Sequence, residues 1–154
     1  ISTRFRGDEL ALITFGRHAM STDIEELTAL PPVQEQGTNL HHGLLLAERF
    51  FARHPSMQPT LLIVTDGEPT AYLQPDGHAW FNWPTDQYTM YSTITQLDKV
   101  TKRGTRTTFF RLGSNPGLEN FLNQLADRVD GRVVAPDLDG LGAAVVDEYL
   151  NYRF

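Results

Sequence analysis

A chain of 154 residues, 40% of them hydrophobic, fits one globular domain over residues 1–154 and excludes a disordered chain. The net charge of −6 and the lack of any Lys/Arg cluster argue against nucleic acid as a partner. The absence of cysteine removes disulfides and thiolate metal sites, and no apolar run approaches the roughly 20 residues of a membrane span, so no membrane partner is expected.

Taken in order, the chain alternates strand and helix. Residues 9–15 (Glu-Leu-Ala-Leu-Ile-Thr-Phe) read as a short strand ending at Gly16. Residues 17–36 allow two readings, a helix opened by a Thr22/Glu25 capping box or a short edge strand, and Pro31-Pro32 ends either. A helix is predicted from Thr38 to about His54, with Leu40, Leu44, Ala47 and Phe51 on one face and Pro55 beyond its end. Residues 60–65 (Thr-Leu-Leu-Ile-Val-Thr) read as a strand buried on both faces.

Residues 67–86 are predicted as a long loop in which Asp76-Gly77 offers a tight turn or small hairpin. Its aromatic residues Tyr72, Trp80, Phe81 and Trp83 suit either a recognition surface or a small satellite core. A helix follows over 86–102, with Met90, Ile94, Leu97 and Thr101 on its inner side and Gly104 ending it. Residues 105–112 form a Thr- and Phe-rich strand. Asn115-Pro116 then caps a helix whose stripe is Leu118, Phe121, Leu122, Leu125 and Val129, closed by Gly131. A last strand at 132–135 precedes a final helix marked by Leu141, Ala144, Val145, Tyr149 and Tyr152, with an N-cap from the Asp137/Asp139 pair. Strands alternating with helices imply an α/β fold, a parallel sheet covered on both faces.

The strand 60–65 stops on Asp66-Gly67-Glu68, where open α/β sheets place their ligand sites. Thr38 stands at a loop-to-helix junction upstream. A hydroxyl and a carboxylate are hard oxygen donors of the kind Mg²⁺ takes. Glu68 reads as a solvated loop residue beside that position. His41 and His42 are adjacent, so on a helix they diverge by about 100° and make no i, i+4 metal pair; they are expected on the polar face.

The ordered set Asp8–Gly16, Gly37-Thr38-Asn39-Leu40 opening a helix, Leu62-Ile63-Val64-Thr65-Asp66-Gly67-Glu68-Pro69, and the trailing helix and strand elements resembles the von Willebrand factor type A (vWA) domain family over essentially the whole chain. The resemblance implies a Rossmann-like three-layer sandwich, with a mostly parallel central sheet and helices on both faces. It also implies a metal-ion-dependent adhesion site built from an Asp-x-Ser-x-Ser loop, a threonine and a later aspartate. Thr38 matches the threonine and Asp66 the later aspartate; the serine loop and the first strand are not in these residues. That strand belongs between strands 9–15 and 60–65, and it is expected to be supplied from outside the chain, which opens on Ile1 rather than a start methionine.

The implied function is a protein-interaction module, not an enzyme. It would hold Mg²⁺, with Mn²⁺ or Ca²⁺ as alternatives, and bind a partner protein through an Asp or Glu carboxylate. Cytoplasmic bacterial members of the family often work beside ring-forming ATPases, and the resemblance allows a cytoplasmic location and a partner of that kind without identifying one. Competing readings are a metal-dependent hydrolase on an α/β sheet and a metal-independent scaffold with a decayed site. Against the hydrolase, no Gly-x-Ser-x-Gly, phosphate-binding loop or His-Glu-x-x-His motif occurs.

Overall fold

A computed structural model describes residues 7–29 and 36–153. The Pro31-Pro32 stop lies outside the described residues. The chain forms two compact units, one of Ile1–Pro55 with Pro69–Val100 and one of Ser56–Glu68 with Thr101–Phe154.

In the first unit β1 (Leu12–Phe15) pairs antiparallel with β2 (Ala19–Thr22), Phe15 opposite Ala19. The two readings of residues 17–36 are both realised in part, because a six-residue helix α1 (Ile24–Ala29) follows the edge strand. Its first turn is capped by Asp23, whose Oδ1 accepts the Glu26 N–H at 2.7 Å, and not by Thr22. The longer helix α2 (Leu40–Ala52) buries Leu40, Gly43, Leu44 and Ala47 and packs on β1 and β2. Each Leu so buried contributes about 1.5–3 kcal/mol.

The predicted loop 67–86 contains a hairpin, β4 (Ala71–Leu73) antiparallel to β5 (Ala79–Phe81). Asp76-Gly77 sits in its turn, closed by the Gln74 N–H donating to the His78 carbonyl at 2.8 Å. Helix α3 (Gln87–Thr101) buries Thr89, Thr93, Gln96, Leu97 and Val100. The expected inner face of Met90, Ile94 and Thr101 is therefore displaced around the helix, with only Leu97 common to both. Thr93 and Gln96 can take this face because they find partners there: Thr93 Oγ1 donates to the Thr89 carbonyl at 2.7 Å, and Gln96 Nε2 donates to Glu48 of α2.

The second unit is built on a parallel sheet in the order β3 (Thr60–Thr65), β6 (Arg106–Arg111), β7 (Arg132–Val134). Side chains alternate along β6. Arg111 points to helix α4 (Pro116–Val129), where its guanidinium lies 3.8 Å from Glu119. Thr108, on the opposite face, donates its hydroxyl to Glu148 of α5 (Leu141–Arg153) at 2.8 Å. Helices thus cover both faces of this sheet, which is the α/β layering expected. Phe109, Phe110, Leu118, Leu122 and Leu125 are all essentially inaccessible and form its core.

Asn115 caps α4 as predicted, its Oδ1 accepting the N–H of Gly117 at 2.9 Å. The left-handed residue at the far end is Asp130 (φ 53°) rather than Gly131. Gly131 is needed for space instead, since a Cβ there would stand 2.8 Å from the Thr107 carbonyl of β6. Asp137 precedes a single 3-10 turn, Leu138–Gly140, and makes no side-chain cap bond, so the predicted N-cap of α5 is not formed by it. The one buried residue of α5 is Glu148, and the apolar positions Leu141, Ala144, Val145, Tyr149 and Tyr152 are only half-buried. No helix among the described residues is long and apolar enough to cross a membrane.

Candidate functional site

The loop that presents Thr38 is fixed by its neighbours on both sides. Gly37 has φ 146°, a backbone region that side chains rarely enter, and a Cβ there would lie 3.0 Å from Arg17 Cα. Thr38 itself is held through its main chain. Its N–H donates to Thr70 Oγ1 at 2.9 Å, and its carbonyl accepts the N–H groups of Thr70 and Ala71 at 3.0 and 3.3 Å.

Asn39, fully buried, is the cap of α2: its Oδ1 accepts the His42 N–H at 2.9 Å. The Asn39 amide also donates to the Arg17 carbonyl at 2.8 Å, and its backbone N–H donates to the Gly16 carbonyl at 2.7 Å. One side chain therefore starts the helix and ties it to the turn between β1 and β2. The capping that a threonine at position 38 would ordinarily supply is done by Asn39, which leaves the Thr38 hydroxyl outside the cap.

The two histidines of the first turn do structural work, which corrects their expected placement on a solvated polar face. His42 Nδ1 accepts the Ala19 N–H of β2 at 2.9 Å, and His41 Nδ1 accepts the Leu73 N–H of β4 at 3.0 Å. Both rings thus carry their proton on Nε2. Desolvation by burial holds both below the ordinary histidine pKa, His42 and Lys99 adding to the effect at His41, and His18 and Arg49 at His42.

Asp66 follows β3 directly, at the C-terminal end of the parallel strand, and is exposed. The turn after it is shaped by Thr65, whose hydroxyl donates to the Gly67 carbonyl at 2.9 Å. Glu68 is half-buried rather than solvated. Its Oε1 would lie 2.9 Å from a Cβ on Gly117, so the carboxylate rests against the first turn of α4, where helix polarity favours negative charge.

Thr38 belongs to the first unit and Asp66 to the second, and each is described in its own surroundings. Their donors fit a hard divalent cation in kind, a hydroxyl outside the cap and an exposed carboxylate. They do not fill its coordination in number. Among the described residues no group of three or more His, Cys, Asp or Glu gathers as a metal cage.

A parallel sheet flanked by helices on both faces defines an α/β domain of the Rossmann-like class. The chain belongs to the vWA domain family: residues 1–150 match the family described as Rv0959-like protein, vWA domain. It is 52% identical over 157 residues to the proteins named "Uncharacterized protein Rv0959" of Mycobacterium tuberculosis (strain ATCC 25618 / H37Rv) and "Uncharacterized protein Mb0984" of Mycobacterium bovis (strain ATCC BAA-935 / AF2122/97). These matches cover 99% of this chain and 23% of each relative, so the chain spans about a quarter of the length of the curated relatives it matches.

Proposed function

We propose that this chain is a protein-interaction module in which Thr38 and Asp66 contribute to a divalent metal site, Mg²⁺ by preference with Mn²⁺ or Ca²⁺ as substitutes, that takes a carboxylate of a partner protein. The observation that carries this reading is the division of labour at the start of α2. Asn39 performs the capping, while Thr38 is immobilised through its main chain with its hydroxyl outside the cap. Asp66 adds an exposed carboxylate at the end of a parallel strand, the usual position for ligands on such sheets.

A bound Mg²⁺ would supply the positive centre that attracts a carboxylate oxygen. The chain's own part is to hold the two donors still. Further oxygen ligands would come from outside the described residues. The outer edge of β3 carries no strand among those residues, which supports a neighbouring strand and its loop as their source. The function read here is binding rather than catalysis. A cytoplasmic setting beside a ring-forming ATPase is the partner class that the family reading favours.

The test is binding of partner proteins by this protein with Mg²⁺, with EDTA, and with Asp66→Ala. Loss of binding in both EDTA and the variant is expected. Unchanged binding in both would replace the metal mechanism with a metal-independent scaffold. Metal-dependent turnover of phosphoesters or esters abolished by Asp66→Ala would instead favour a hydrolase.

A further inference from the structure

In the first unit, the segment from β5 into α3 exposes an unusual amount of aromatic surface. Trp83 is 68% exposed, Tyr88 74%, Tyr91 71% and Trp80 46%. The segment carrying them is anchored. The Trp80 indole N–H donates to Asp86 Oδ2 at 2.9 Å, and Asp86 Oδ1 accepts the Thr89 N–H at 2.8 Å, which fixes the indole beside the first turn of α3. Between them, the Asn82 N–H donates to the Thr70 carbonyl at 3.0 Å and the Thr85 hydroxyl to the Pro69 carbonyl at 2.7 Å. Tyr88 and Tyr91 are three apart on α3 and lie on one exposed face. The aromatic groups are thus presented from an ordered frame, where folding has left them uncovered. Exposed Trp and Tyr in such a setting mark binding surfaces.

Charge identifies the occupant. From His54 to Asp98 the chain has no Lys or Arg, while Asp76 and Asp86 sit in the same stretch as the aromatic residues. Both carboxylates accept backbone N–H bonds, Asp76 from His78 at 2.9 Å and Asp86 from Thr89, which holds them below the ordinary carboxylate range. The nearby side chains that bear positive charge are few. His78 can pair with Asp76 when protonated (3.3 Å), Arg17 is already stacked 4.7 Å from the Phe81 ring centre, and Lys99 lies eight residues beyond Tyr91, about 12 Å along the helix. An aromatic surface that holds the Asp86 carboxylate against Trp80, has Asp76 in the turn of the same hairpin and carries no Lys or Arg of its own stretch is complementary to guanidinium and ammonium groups, through cation–π contact and ion pairing.

We propose that Trp80, Trp83, Tyr88 and Tyr91, with Asp76 and Asp86, form a docking surface for an Arg- or Lys-rich segment of a partner protein. This surface needs no metal and stands independently of Thr38 and Asp66.

The chain provides its own reporter, because its two tryptophans are Trp80 and Trp83. Tryptophan fluorescence is titrated with three peptides of equal length, (Arg-Gly)₄, (Gln-Gly)₄ and (Glu-Gly)₄, in EDTA throughout. The expected result is a saturable change with the Arg peptide alone, weakened on raising salt from 50 to 500 mM. Binding by Tyr88→Gln with Tyr91→Gln should be about tenfold weaker. Both tyrosines are exposed, so the fold is expected to persist, and Trp83→Ala, also at an exposed position and read by calorimetry, serves as a second variant that should weaken binding in the same way. Equal response to all three peptides, wild-type affinity in the double variant, or preferential binding of a neutral oligosaccharide would each overturn the proposal. Because EDTA is present in every titration, failure here is distinct from failure of the metal reading.

Discussion

The hydroxyl of Thr70 accepts the N–H of Thr38 at 2.9 Å, while the carbonyl of Thr38 accepts the N–H of Thr70 at 3.0 Å. This reciprocal pair clamps the loop before α2 to the strand β4. Thr70→Val keeps the shape and removes the acceptor, leaving the Thr38 N–H unpaired in a half-buried place. The expected cost is about 1–2 kcal/mol in urea unfolding. If Thr38 is a metal ligand, metal-dependent partner binding should weaken along with it. A variant with unchanged stability and unchanged binding would show that the clamp positions nothing.

Asp66 offers the converse case. It is exposed at the end of β3, so Asp66→Ala should alter unfolding free energy by no more than about 0.5 kcal/mol. The partner-binding assay should lose its metal dependence in the same protein. A large loss of stability would show that Asp66 shapes the turn, and binding data from that variant would then say nothing about metal.

Much of this was legible in the sequence because local rules and packing agree there. Asn115-Pro116 caps α4, the Leu118/Phe121/Leu122/Leu125 stripe is buried, and strand 60–65 ends at Asp66 as the apolar run requires. The failures share a cause. Where burial is polar, hydrophobic periodicity points to the wrong face. Helix α3 buries Thr93 and Gln96, and α5 buries Glu148, because each side chain has a partner, the Thr89 carbonyl of the same helix for Thr93, Glu48 of α2 for Gln96 and Thr108 of β6 for Glu148. The capping role of Asn39 is hidden in the sequence for a different reason. A Thr-Asn pair before a helix allows either to cap, and only the buried bonds to Gly16 and Arg17 select the asparagine.

The histidines of α2 predict a pH dependence whose sign can be worked out. Each Nδ1 is an acceptor of a backbone N–H, and the folded pKa of each lies below the usual 6.5. Between the folded and unfolded values the unfolded chain binds more protons, so stability rises with pH. It is fully present above about 6.5 and is lost as pH falls from there toward the folded values. Urea midpoints measured from pH 7.5 to 5.0 should fall on acidification, and the fall should be smaller in His41→Gln with His42→Gln. A flat profile, or a slope unaltered in the double variant, would assign the effect elsewhere.

Gly117 separates helix propensity from space. In an open first turn, Gly→Ala stabilises by a few tenths to 1 kcal/mol. Here the new methyl would stand 2.9 Å from Glu68 Oε1 and 3.3 Å from Asn115 Oδ1. Gly117→Ala should therefore gain little or be mildly destabilising, by up to about 1 kcal/mol. Adding Glu68→Ala should restore the helix-forming gain, and a double-mutant cycle reads the difference as coupling between the two sites. Strict additivity would mean that the Glu68 carboxylate swings away at no cost.

Glu148 joins three elements of the second unit. Its carboxylate takes the Thr108 hydroxyl at 2.8 Å on one oxygen and the Arg132 guanidinium at 2.7 Å on the other, while the Tyr152 hydroxyl lies 2.6 Å from Thr108. The Glu148 side chain is 6% exposed and that of Arg132 59%, so removal of the acid leaves the arginine free to reach water. The cost of Glu148→Ala is accordingly set by the lost Thr108–Glu148 hydrogen bond, Tyr152 remaining as that hydroxyl's partner, and by the vacated volume, about 2–3 kcal/mol, and falls short of the 3–5 typical when a charge is left buried and alone. Glu148→Gln retains an acceptor for Thr108 and the volume, so it should cost about 1 kcal/mol and lose mainly the ionic contact. Chemical unfolding of both variants decides between these roles. Equal destabilisation by Ala and Gln would place the weight on charge, whereas the predicted gap places it on the buried hydrogen bond that holds α5 to the sheet.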